Sequence, residues 1–529
     1  MSLSNKQEEA AVLARTNNKA LIVIGLIIGI IFSELDETVV STAMPTIIRD
    51  LDGLSLYGWV VGIYMLTMTS FMPILGKLAD LYGRKKIYIL SMGLFIAGSI
   101  VSGFAENMPM LLLGRGIQGI GAGGLMPLAM VIFGDIFTVE QRAKTQGIFG
   151  AIMFVPQLLG PLLGGYLTEH ISWHWIFWVN IPVGVIAAIV LSAGLRESTG
   201  NKNASIDWAG AFLLVGSIVS LLLTPVLHET EGYAWSSPAL IGLWVLGAVM
   251  LAIFVFVERR AKEPILPMHL FKNRTFVVLS LIVFTLVLGV MGSFASFPFF
   301  AQNVLGLSPI ASGYLTVPLM VGAVIASIIS GRLMTKIPYR TIFAVSMALP
   351  AVAFLLMTSF NMHTPIIAIV AYFVILGLGF GVLFNNNLIV QESVAKENSG
   401  VALTSVTLFQ SFGMTIGVSI FGSLLAAKIT SGIGGLAGNL PADTAKELGS
   451  AAQGGIPEGL DPSLVDQIKD VFSGAFQHLY WISFVFALVV VVICLFLKRE
   501  VLTVTPDKDK EAKQAGEAGS HGPSMEVQH

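Results

Sequence analysis

The chain has 529 residues, of which 55% are hydrophobic and only 12% are charged, and its mean hydropathy is +0.81. Soluble proteins carry about 25% charged residues, so this composition excludes a soluble globular protein and predicts a membrane protein. The net charge of −2 gives no support for nucleic-acid binding. The single cysteine, Cys494, excludes an intrachain disulfide and a cysteine-based zinc site.

Fourteen apolar stretches are long enough to cross a bilayer, since a spanning helix needs about 20 residues. They are predicted at 20–44, 57–75, 87–105, 110–133, 145–167, 173–195, 206–227, 237–257, 275–301, 309–331, 341–359, 364–389, 401–426 and 477–497. An even number of crossings places both termini on one side. Most of the 30 lysines and arginines lie on that side, so both termini are predicted to be cytoplasmic. No cleavable signal peptide is expected, because the first stretch is too long.

The first stretch carries three carboxylates, Glu34, Asp36 and Glu37, in the sequence SELDETVVSTAMP. Ionisable groups within a membrane are costly and usually mark a path for protons or substrate. On a straight helix, Glu34 and Glu37 lie about 60° apart and Asp36 lies about 160° from Glu34, so all three cannot face one narrow cavity. Asp36 with Glu37 is the more plausible pair, and Glu34 then faces a neighbouring helix or is protonated.

The loop after the second stretch reads GKLADLYGRKK. Gly76 and Gly83 allow tight turns, and Asp80 can pair with Arg84 if the segment is helical, because the two are four residues apart. A solvated basic loop is the alternative, but the ordered glycine, aspartate and arginine pattern is more specific than that.

The fourth stretch contains Arg115 in the glycine-rich sequence LGRGIQGIGAGG. An arginine within an apolar helix needs a partner or water, and the glycines permit close packing of a second helix. Alternatively, the Arg115 side chain extends to the membrane interface. Gln118, one turn further on, is a candidate for lining the pathway, as is Gln157 in the next stretch.

The fifth stretch ends in PQLLGPLLGG. Pro161 removes a backbone donor and bends the helix, while Gly160, Gly164 and Gly165 allow another helix to come near. Further along, Asn385 and Asn386 lie near the inner end of the twelfth stretch, where they either line the pathway or satisfy neighbouring backbone groups. No metal site is expected, because His170 and His174 lack an acidic third ligand.

Taken in order, these motifs resemble those of the major facilitator superfamily, and most closely its fourteen-helix drug:proton antiporters. The resemblance covers residues 18–500 and includes the segment WHWIFWVNIP that opens the sixth stretch. It implies an all-α membrane protein with two six-helix bundles and two additional helices. The expected parts are a cytoplasmic N-terminus at 1–19, bundles at 20–195 and 275–497, the extra helices at 206–257, an outer loop at 427–476 and a disordered cytoplasmic tail at 498–529.

The resemblance also implies a function, which is proton-driven export of amphipathic, cationic compounds across a bacterial cytoplasmic membrane. Asp36 would be the proton and cation site and Arg115 would take part in proton handling. Asp80 and Arg84 would latch the inner ends of the bundles, with Asp135 as a third member. The motif around Pro161 is typical of exporters. The resemblance gives no role to Glu34 or Glu37.

The expected partners are small amphipathic molecules, protons and lipid, without nucleic acid or a cofactor other than the proton gradient, and the protein is expected to be a monomer. One alternative keeps the transporter but changes the cargo to an amino acid, a siderophore or another metabolite, because one fold accommodates many pockets. A membrane enzyme is not expected, because the sequence lacks the motifs of membrane proteases and prenyl transferases. A non-transporting sensor is disfavoured by the absence of an appended soluble domain.

Overall fold

The computed structural model of the protein describes residues 19–51, 56–137, 155–156, 159–160, 162–195, 207–261, 264–307, 309–395, 398–437 and 461–502. Within these ranges the chain is helical and contains no β-strand.

Six helical segments form the N-terminal bundle, and the fifth of them is described only in part. Their bounds are α1 Lys19–Leu51, α2 Tyr57–Tyr82, α3 Arg84–Gly103, α4 Met108–Ile136, α5 162–170, and α6 Asn180–Gly194, which follows the short helix Trp175–Trp178. Asn107 caps α4, because its side chain accepts a hydrogen bond from the Met110 amide at 2.9 Å.

An inserted helix pair and a second bundle complete the chain. The inserted helices are α7 Trp208–Glu231 and α8 Pro238–Glu258. The C-terminal bundle contains α9 Arg274–Ala295, α10 Val317–Leu333, α11 Tyr339–Met357, α12 Ile366–Phe380, α13 Ser399–Ala437 and α14 Pro462–Cys494. Short helices extend three of these elements, namely Phe297–Asn303 after α9, Pro309–Tyr314 before α10, and Gly381–Asn385 with Asn386–Ser393 after α12.

In the described part of the chain, 12 helices are long and apolar enough to cross a membrane, and each corresponds to one predicted stretch. The remaining two predictions are α1, a helix of 33 residues that carries the three carboxylates, and the fifth stretch, which lies largely outside the described residues. The predicted fold class, an all-helical membrane protein with two bundles and an inserted pair, is confirmed. The side of the membrane on which the termini lie stays a prediction.

Several helices are longer than the sequence predicted, and two of them extend into the range 427–476 that was predicted as an outer loop. α13 continues to Ala437 and α14 already begins at Pro462. Asp461 caps α14 by accepting a hydrogen bond from the Ser463 amide at 2.8 Å. The difference arises because hydropathy detects only the apolar part of a helix, whereas the helical backbone continues through less apolar residues beyond it.

The two bundles meet along one line of contact. α2 and α4 both pack against α13, and α4 also packs against the short helix Asn386–Ser393. α7 lies against both α2 and α13, and α8 packs on α7. At the C-terminal end of α7, Glu231 accepts a hydrogen bond from the Trp59 indole at 3.0 Å, and His228 contacts the Ser423 hydroxyl at 2.8 Å. The inserted pair therefore contacts both bundles.

Candidate functional site

A cluster of buried polar side chains lies inside the N-terminal bundle. Four of its helices contribute one or two residues each: Asp36 from α1, Ser99 from α3, Arg115 and Gln118 from α4, and Asn180 from α6. Asp36 is 2% exposed, Asn180 is 4% exposed, and the other three are fully buried. Asp36 and Arg115, which form an ion pair, are therefore shielded from bulk water.

The Asp36 carboxylate accepts hydrogen bonds at both of its oxygens. Arg115 Nη1 donates to Oδ2, while the amides of Gln118 and Asn180 both donate to Oδ1, at 2.7 and 2.9 Å. The same two amides reach the Ser99 hydroxyl at 2.9 and 3.3 Å. Arg115 Nη1 also donates to Gln118 Oε1 at 2.8 Å. Asp36 is thus surrounded by protein donors.

Arg115 has contacts with α2 as well as with Asp36. Its guanidinium carbon lies 4.1 Å from the centre of the Tyr64 ring, and its Nε donates to the Val60 carbonyl at 3.4 Å. Its Nη2 atom has no hydrogen-bond partner among the described residues. Burying a charged pair is tolerated because each charge compensates the other, while removing one partner leaves a costly unpaired ion. The interpretation that Arg115 extends to the membrane interface is excluded by its complete burial.

Close approach of α3 and α4 makes this cluster possible. A Cβ atom at Gly98 would lie 2.6 Å from Gln118 Cα, and one at Gly114 would lie 2.7 Å from the Ser102 amide nitrogen. Only glycine fits at such distances, and small residues of this kind allow two membrane helices to pack closely. The contact brings Ser99 within reach of Gln118, so the glycine-rich sequence of α4 positions the polar cluster.

The three carboxylates of α1 divide differently from the predicted pairing of Asp36 with Glu37. Asp36 points into the bundle, whereas Glu34 and Glu37 are only half-buried and make no hydrogen bond or ion pair with another described residue. The two glutamates share one face of α1. On one side of this face lies Ser33, whose carbonyl accepts a hydrogen bond from the Tyr64 hydroxyl of α2. On the other side lies Thr38, which contacts the fifth helical segment. The structure therefore groups Glu37 with Glu34. The sequence spacing gives the angles between the three carboxylates, but it does not show which face of α1 points into the bundle.

The predicted exporter motif packs directly against α1. A Cβ atom at Gly160 would lie 2.5 Å from Thr38 Cβ, and one at Gly164 would lie 2.8 Å from the Val39 carbonyl oxygen. The Thr38 hydroxyl donates to the Pro156 carbonyl at 3.1 Å. These contacts begin two residues after Asp36, so the glycines of this motif fix the part of α1 that carries the carboxylates.

Gly165, which was also predicted for this motif, has no such contact. Among the described residues no heavy atom would lie within 4 Å of a Cβ atom at Gly165, so none of them requires a glycine there. Pro161 and Gln157 lie outside the described residues.

The predicted latch residues come together at the end of the bundle that carries the basic loops. Gly83 separates α2 from α3 with a φ of 104°, a conformation that favours glycine. Arg84 pairs with Asp135 at the end of α4, and its Nη2 lies 3.7 Å from Asp80 Oδ1. The family resemblance grouped Asp80, Arg84 and Asp135, and the structure places Arg84 next to both carboxylates.

The same residues contact the other bundle at the N-terminus of α13. Asp80 Oδ2 accepts a hydrogen bond from the Val401 amide at 3.1 Å, and Arg84 Nη2 donates to the Ser399 hydroxyl at 2.8 Å. A Cβ atom at Gly76 would lie 2.5 Å from the Thr404 hydroxyl oxygen. A carboxylate is favoured at a helix N-terminus, where free amides carry partial positive charge. The latch residues thus join the two bundles at this end.

Asn385 and Asn386 lie inside the C-terminal bundle. The Asn385 amide donates to the Ser327 carbonyl at 3.1 Å and to the Ser330 hydroxyl at 2.8 Å, both in α10. Both asparagines are buried, and each has a side-chain oxygen without a hydrogen-bond partner among the described residues. Of the two predicted interpretations, Asn385 matches the one in which it satisfies neighbouring backbone. In the described part of the chain no three histidine, cysteine or carboxylate side chains are grouped for a metal ion.

Sequence reasoning missed two residues of the cluster, Ser99 and Asn180, and it also missed Tyr64, whose ring lies 4.1 Å from the Arg115 guanidinium carbon. Asn180 stands in the segment WHWIFWVNIP, where it is the one amide in an apolar run, and that isolation is the signal that could have identified it. Ser99 and Tyr64 are ordinary residues of membrane helices, and nothing in their spacing relates them to Asp36. Their contribution is visible only in three dimensions.

Known proteins provide a separate comparison. A profile of the Major Facilitator Superfamily matches residues 26–418. Multidrug transporter protein MdtP of Bacillus subtilis (strain 168) is 38% identical over 537 residues, which cover 96% of this chain and 98% of the relative. Multidrug resistance protein 3 of the same organism is 34% identical over 510 residues, which cover 94% of this chain and 99% of the relative.

A solved structure agrees with the fold. The proton:xylose symporter XylE superposes with a TM-score of 0.57 at 12% identity, over 92% of this chain and 95% of the symporter. At this low identity the likeness concerns the fold alone.

Proposed function

The chain belongs to the major facilitator superfamily of membrane transporters, and we propose that it exports amphipathic, cationic compounds in exchange for protons. The observation that carries this proposal is the ion pair of Asp36 with Arg115, buried in the N-terminal bundle with two amide donors on the same carboxylate. A structural ion pair is rarely placed at this depth in a membrane protein, where ionisable groups usually serve ion or proton movement.

Proton exchange follows from the chemistry of this pair. Uptake of a proton by Asp36 removes its negative charge and ends its attraction for Arg115. Because the Coulomb energy of two charges varies with their separation and with the local dielectric, a shift of α1 relative to α4 changes how readily Asp36 holds a proton. Opening of the bundle toward one side or the other can then load the proton on one side and release it on the other.

Multidrug export is supported by the relatives, since both Bacillus proteins are named for multidrug transport or resistance. The sequence contains 21 methionines and 33 phenylalanines, side chains that adapt to apolar bodies of different shapes. A flexible apolar surface favours broad substrate range over strict selection. The site of action is the bacterial cytoplasmic membrane, with the basic loops on the inner side.

Alternating access requires that the two bundles rock about the central pathway. Here the bundles are joined at the end of the basic loops by Asp80, Arg84 and the N-terminus of α13. We assign this arrangement to the inner-closed state. Release of these contacts would open the inner end for loading of cargo, and their return would commit the cargo to the outer side.

Everted membrane vesicles provide the test. A fluorescent lipophilic cation is added to the medium outside vesicles that contain the protein, and its uptake is followed with and without an imposed pH gradient. The proposal predicts uptake that depends on the gradient and is lost in Asp36→Asn, while that variant is present in the membrane at the normal amount. Uptake that ignores the gradient, or an Asp36→Asn variant that transports normally, would contradict the proposal. If the cargo is limited to one metabolite, none of the lipophilic cations will be transported.

A further inference from the structure

The inserted helix pair has no part in the proposed proton chemistry, yet it contacts both bundles at the end of the molecule opposite the latch. The latch residues join α2 and α3 to the N-terminus of α13. α7 reaches the opposite end at Glu231, and it packs against both α2 and α13. Within one turn of this end, Glu231 contacts the N-terminal bundle and His228 contacts the C-terminal bundle.

On the side of the N-terminal bundle, α7 is attached to α2 at two levels. A Cβ atom at Gly62 would lie 3.0 Å from a methyl carbon of Val226, so the two helices approach each other closely there. Further along α7, Glu231 accepts a hydrogen bond from the Trp59 indole at 3.0 Å. α7 also packs more extensively on α2 than on α13. We therefore expect the inserted pair to move together with the N-terminal bundle.

On the side of the C-terminal bundle, the contact centres on one hydroxyl group, that of Ser423 in α13. His228 Nε2 lies 2.8 Å from Ser423 Oγ, and the Trp235 indole donates to the same oxygen at 3.4 Å. The rings of His228 and Trp235 pack with their centres 4.4 Å apart. His228 Nδ1 donates to the Tyr233 carbonyl at 2.7 Å. The turn between α7 and α8 thus holds the His228 ring so that its Nε2 faces α13.

This contact depends on the angle between the two bundles. Rocking of the bundles moves the outer end of α13 relative to α2. A hydrogen bond is lost once its two heavy atoms separate beyond about 3.5 Å, so a helix pair fixed to α2 keeps its bond to Ser423 in one arrangement only. That bond is present here together with the closed inner latch. A contact made in one state alone stabilises that state.

We propose that His228, Trp235 and Ser423 form an outer latch, through which the inserted helix pair stabilises the inner-closed state. This role rests on the alternating access of the proposed function and adds the inserted pair to it. His228 is a positioning residue, because it acts through Ser423 on the arrangement of the bundles and not on Asp36.

Pulsed electron resonance on the purified full-length protein in lipid nanodiscs measures both ends of the molecule. One pair of spin labels, at Tyr82 and Ala395, reports the inner end. A second pair, at Glu106 and His363, reports the outer end. All four positions are exposed. The inner pair separates and the outer pair comes together when the protein changes from the inner-closed to the inner-open form.

His228→Ala and Ser423→Ala should each shift the ratio of the two forms about fivefold toward the inner-open form, the net effect of one hydrogen bond. The double variant should differ by no more than about twofold from either single variant, since both changes remove the same contact. Two substitutions in α14 are the controls and should leave the ratio unchanged. Ser473→Ala removes a hydroxyl that donates to a carbonyl of its own helix at 2.8 Å, and His478→Ala removes an exposed histidine.

A cross-link tests the outer latch in the opposite direction and does not require loss of the contact. His228→Cys and Ser423→Cys are joined in detergent by a short, cleavable bifunctional thiol reagent, and the protein is then reconstituted. The native Cys494 is buried and does not compete for the reagent. The cross-linked protein should show only the inner-closed distances and should not transport, and cleavage of the reagent should restore transport.

Unchanged distances in both alanine variants, additive effects of the two substitutions, or normal transport by the cross-linked protein would overturn the inference. A fall in thermal stability with an unchanged ratio of forms would also overturn it, since that is the effect of a purely structural contact. If the distances shift as described but vesicles show no gradient-dependent uptake of a lipophilic cation, the proposed function fails while the outer latch stands.

Discussion

The two bundles pack their fifth helix on their first in the same way, yet their interiors differ. In the N-terminal bundle, Gly160 and Gly164 of the fifth segment meet α1. In the C-terminal bundle, Gly413 and Gly417 of α13 meet α9, where a Cβ atom at Gly413 would lie 2.5 Å from the Phe284 carbonyl oxygen. Two glycines four residues apart allow the close approach in both cases.

The chemistry of the two interiors is different. The N-terminal bundle buries Asp36 with Arg115, and its latch holds Asp80 and Arg84 at low exposure. Within the described residues of α9 to α14, no lysine, arginine or carboxylate is buried, and the buried polar groups there are hydroxyls and amides. Aromatic rings fill much of the space instead, as where Phe300 lies 5.6 Å from Phe360 and 5.2 Å from Phe476 between ring centres.

One packing scheme thus surrounds two different interiors. In the described residues the buried Asp36–Arg115 ion pair lies in the N-terminal bundle, whereas apolar and aromatic side chains fill most of the C-terminal bundle. Substitutions at matched positions should therefore have matched effects on stability but different effects on proton exchange.

Arg115→Leu should have the largest effect. Asp36 would remain buried without its cation, which costs about 3–5 kcal/mol when a buried pair loses one partner. We expect a clear fall in thermal stability of the purified protein and loss of transport. The matched change in the other bundle is Ser483→Ala, which removes a buried hydroxyl that donates to the Gly289 carbonyl at 2.9 Å. It should cost about 1 kcal/mol and leave transport intact. An Arg115→Leu protein with normal stability and normal transport would contradict the account.

Gly160→Ala should have the next largest effect, because the new methyl group would push Thr38 and the carboxylate-bearing part of α1 away. Stability should fall in both Gly160→Ala and Gly413→Ala. Only Gly160→Ala should change the number of protons exchanged per cargo, measured in proteoliposomes from drug-driven proton release. Gly165→Ala, a position with open space, provides the control and should resemble the wild type. If Gly160→Ala and Gly413→Ala change the number of protons exchanged per cargo equally, the proposed difference between the two bundles is wrong.

Asp80→Ala should have the smallest effect, since it removes one hydrogen bond to α13, worth about 1 kcal/mol or about fivefold in population. The expected result is a shift toward forms with separated inner ends. Pulsed electron resonance between spin labels at Tyr82 and Ala395, both exposed, would report longer distances. Gly93→Ala, where the added atom meets nothing within 4 Å, controls for the substitution itself. An unchanged distance distribution would show that Asp80 does not hold the two bundles together.

Much of this architecture was predictable because it depends on long apolar runs. The spans and the inserted pair follow from hydropathy, and the pairing of Asp80 with Arg84 follows from their helical spacing. The addition of Asp135 to this group came from the family resemblance. The ends of α13 and α14 did not follow, since a helix continues beyond its apolar part. The partners of Asp36 were only half predicted, because Arg115 is conspicuous in a membrane helix whereas Asn180 is a neutral amide like many others.

The sequence also did not predict the direction in which the Glu37 side chain faces. A helical repeat gives the angle between two side chains, but only the neighbours of α1 decide which angle points to the interior. Once Thr38 is placed against the glycines of the fifth segment, the remaining directions are determined. This is why Glu34 and Glu37 share a half-buried face of α1, while Asp36 is buried in the bundle.

The central claim is that Asp36 changes its protonation as cargo binds and leaves. Infrared difference spectroscopy of the purified protein can observe this directly through the carbonyl stretch of a protonated carboxylic acid. The account predicts a band that appears as the pH is lowered without cargo, disappears when a lipophilic cation is added, and is absent in Asp36→Asn. A band that persists in Asp36→Asn, or one that does not respond to the cation, would contradict it.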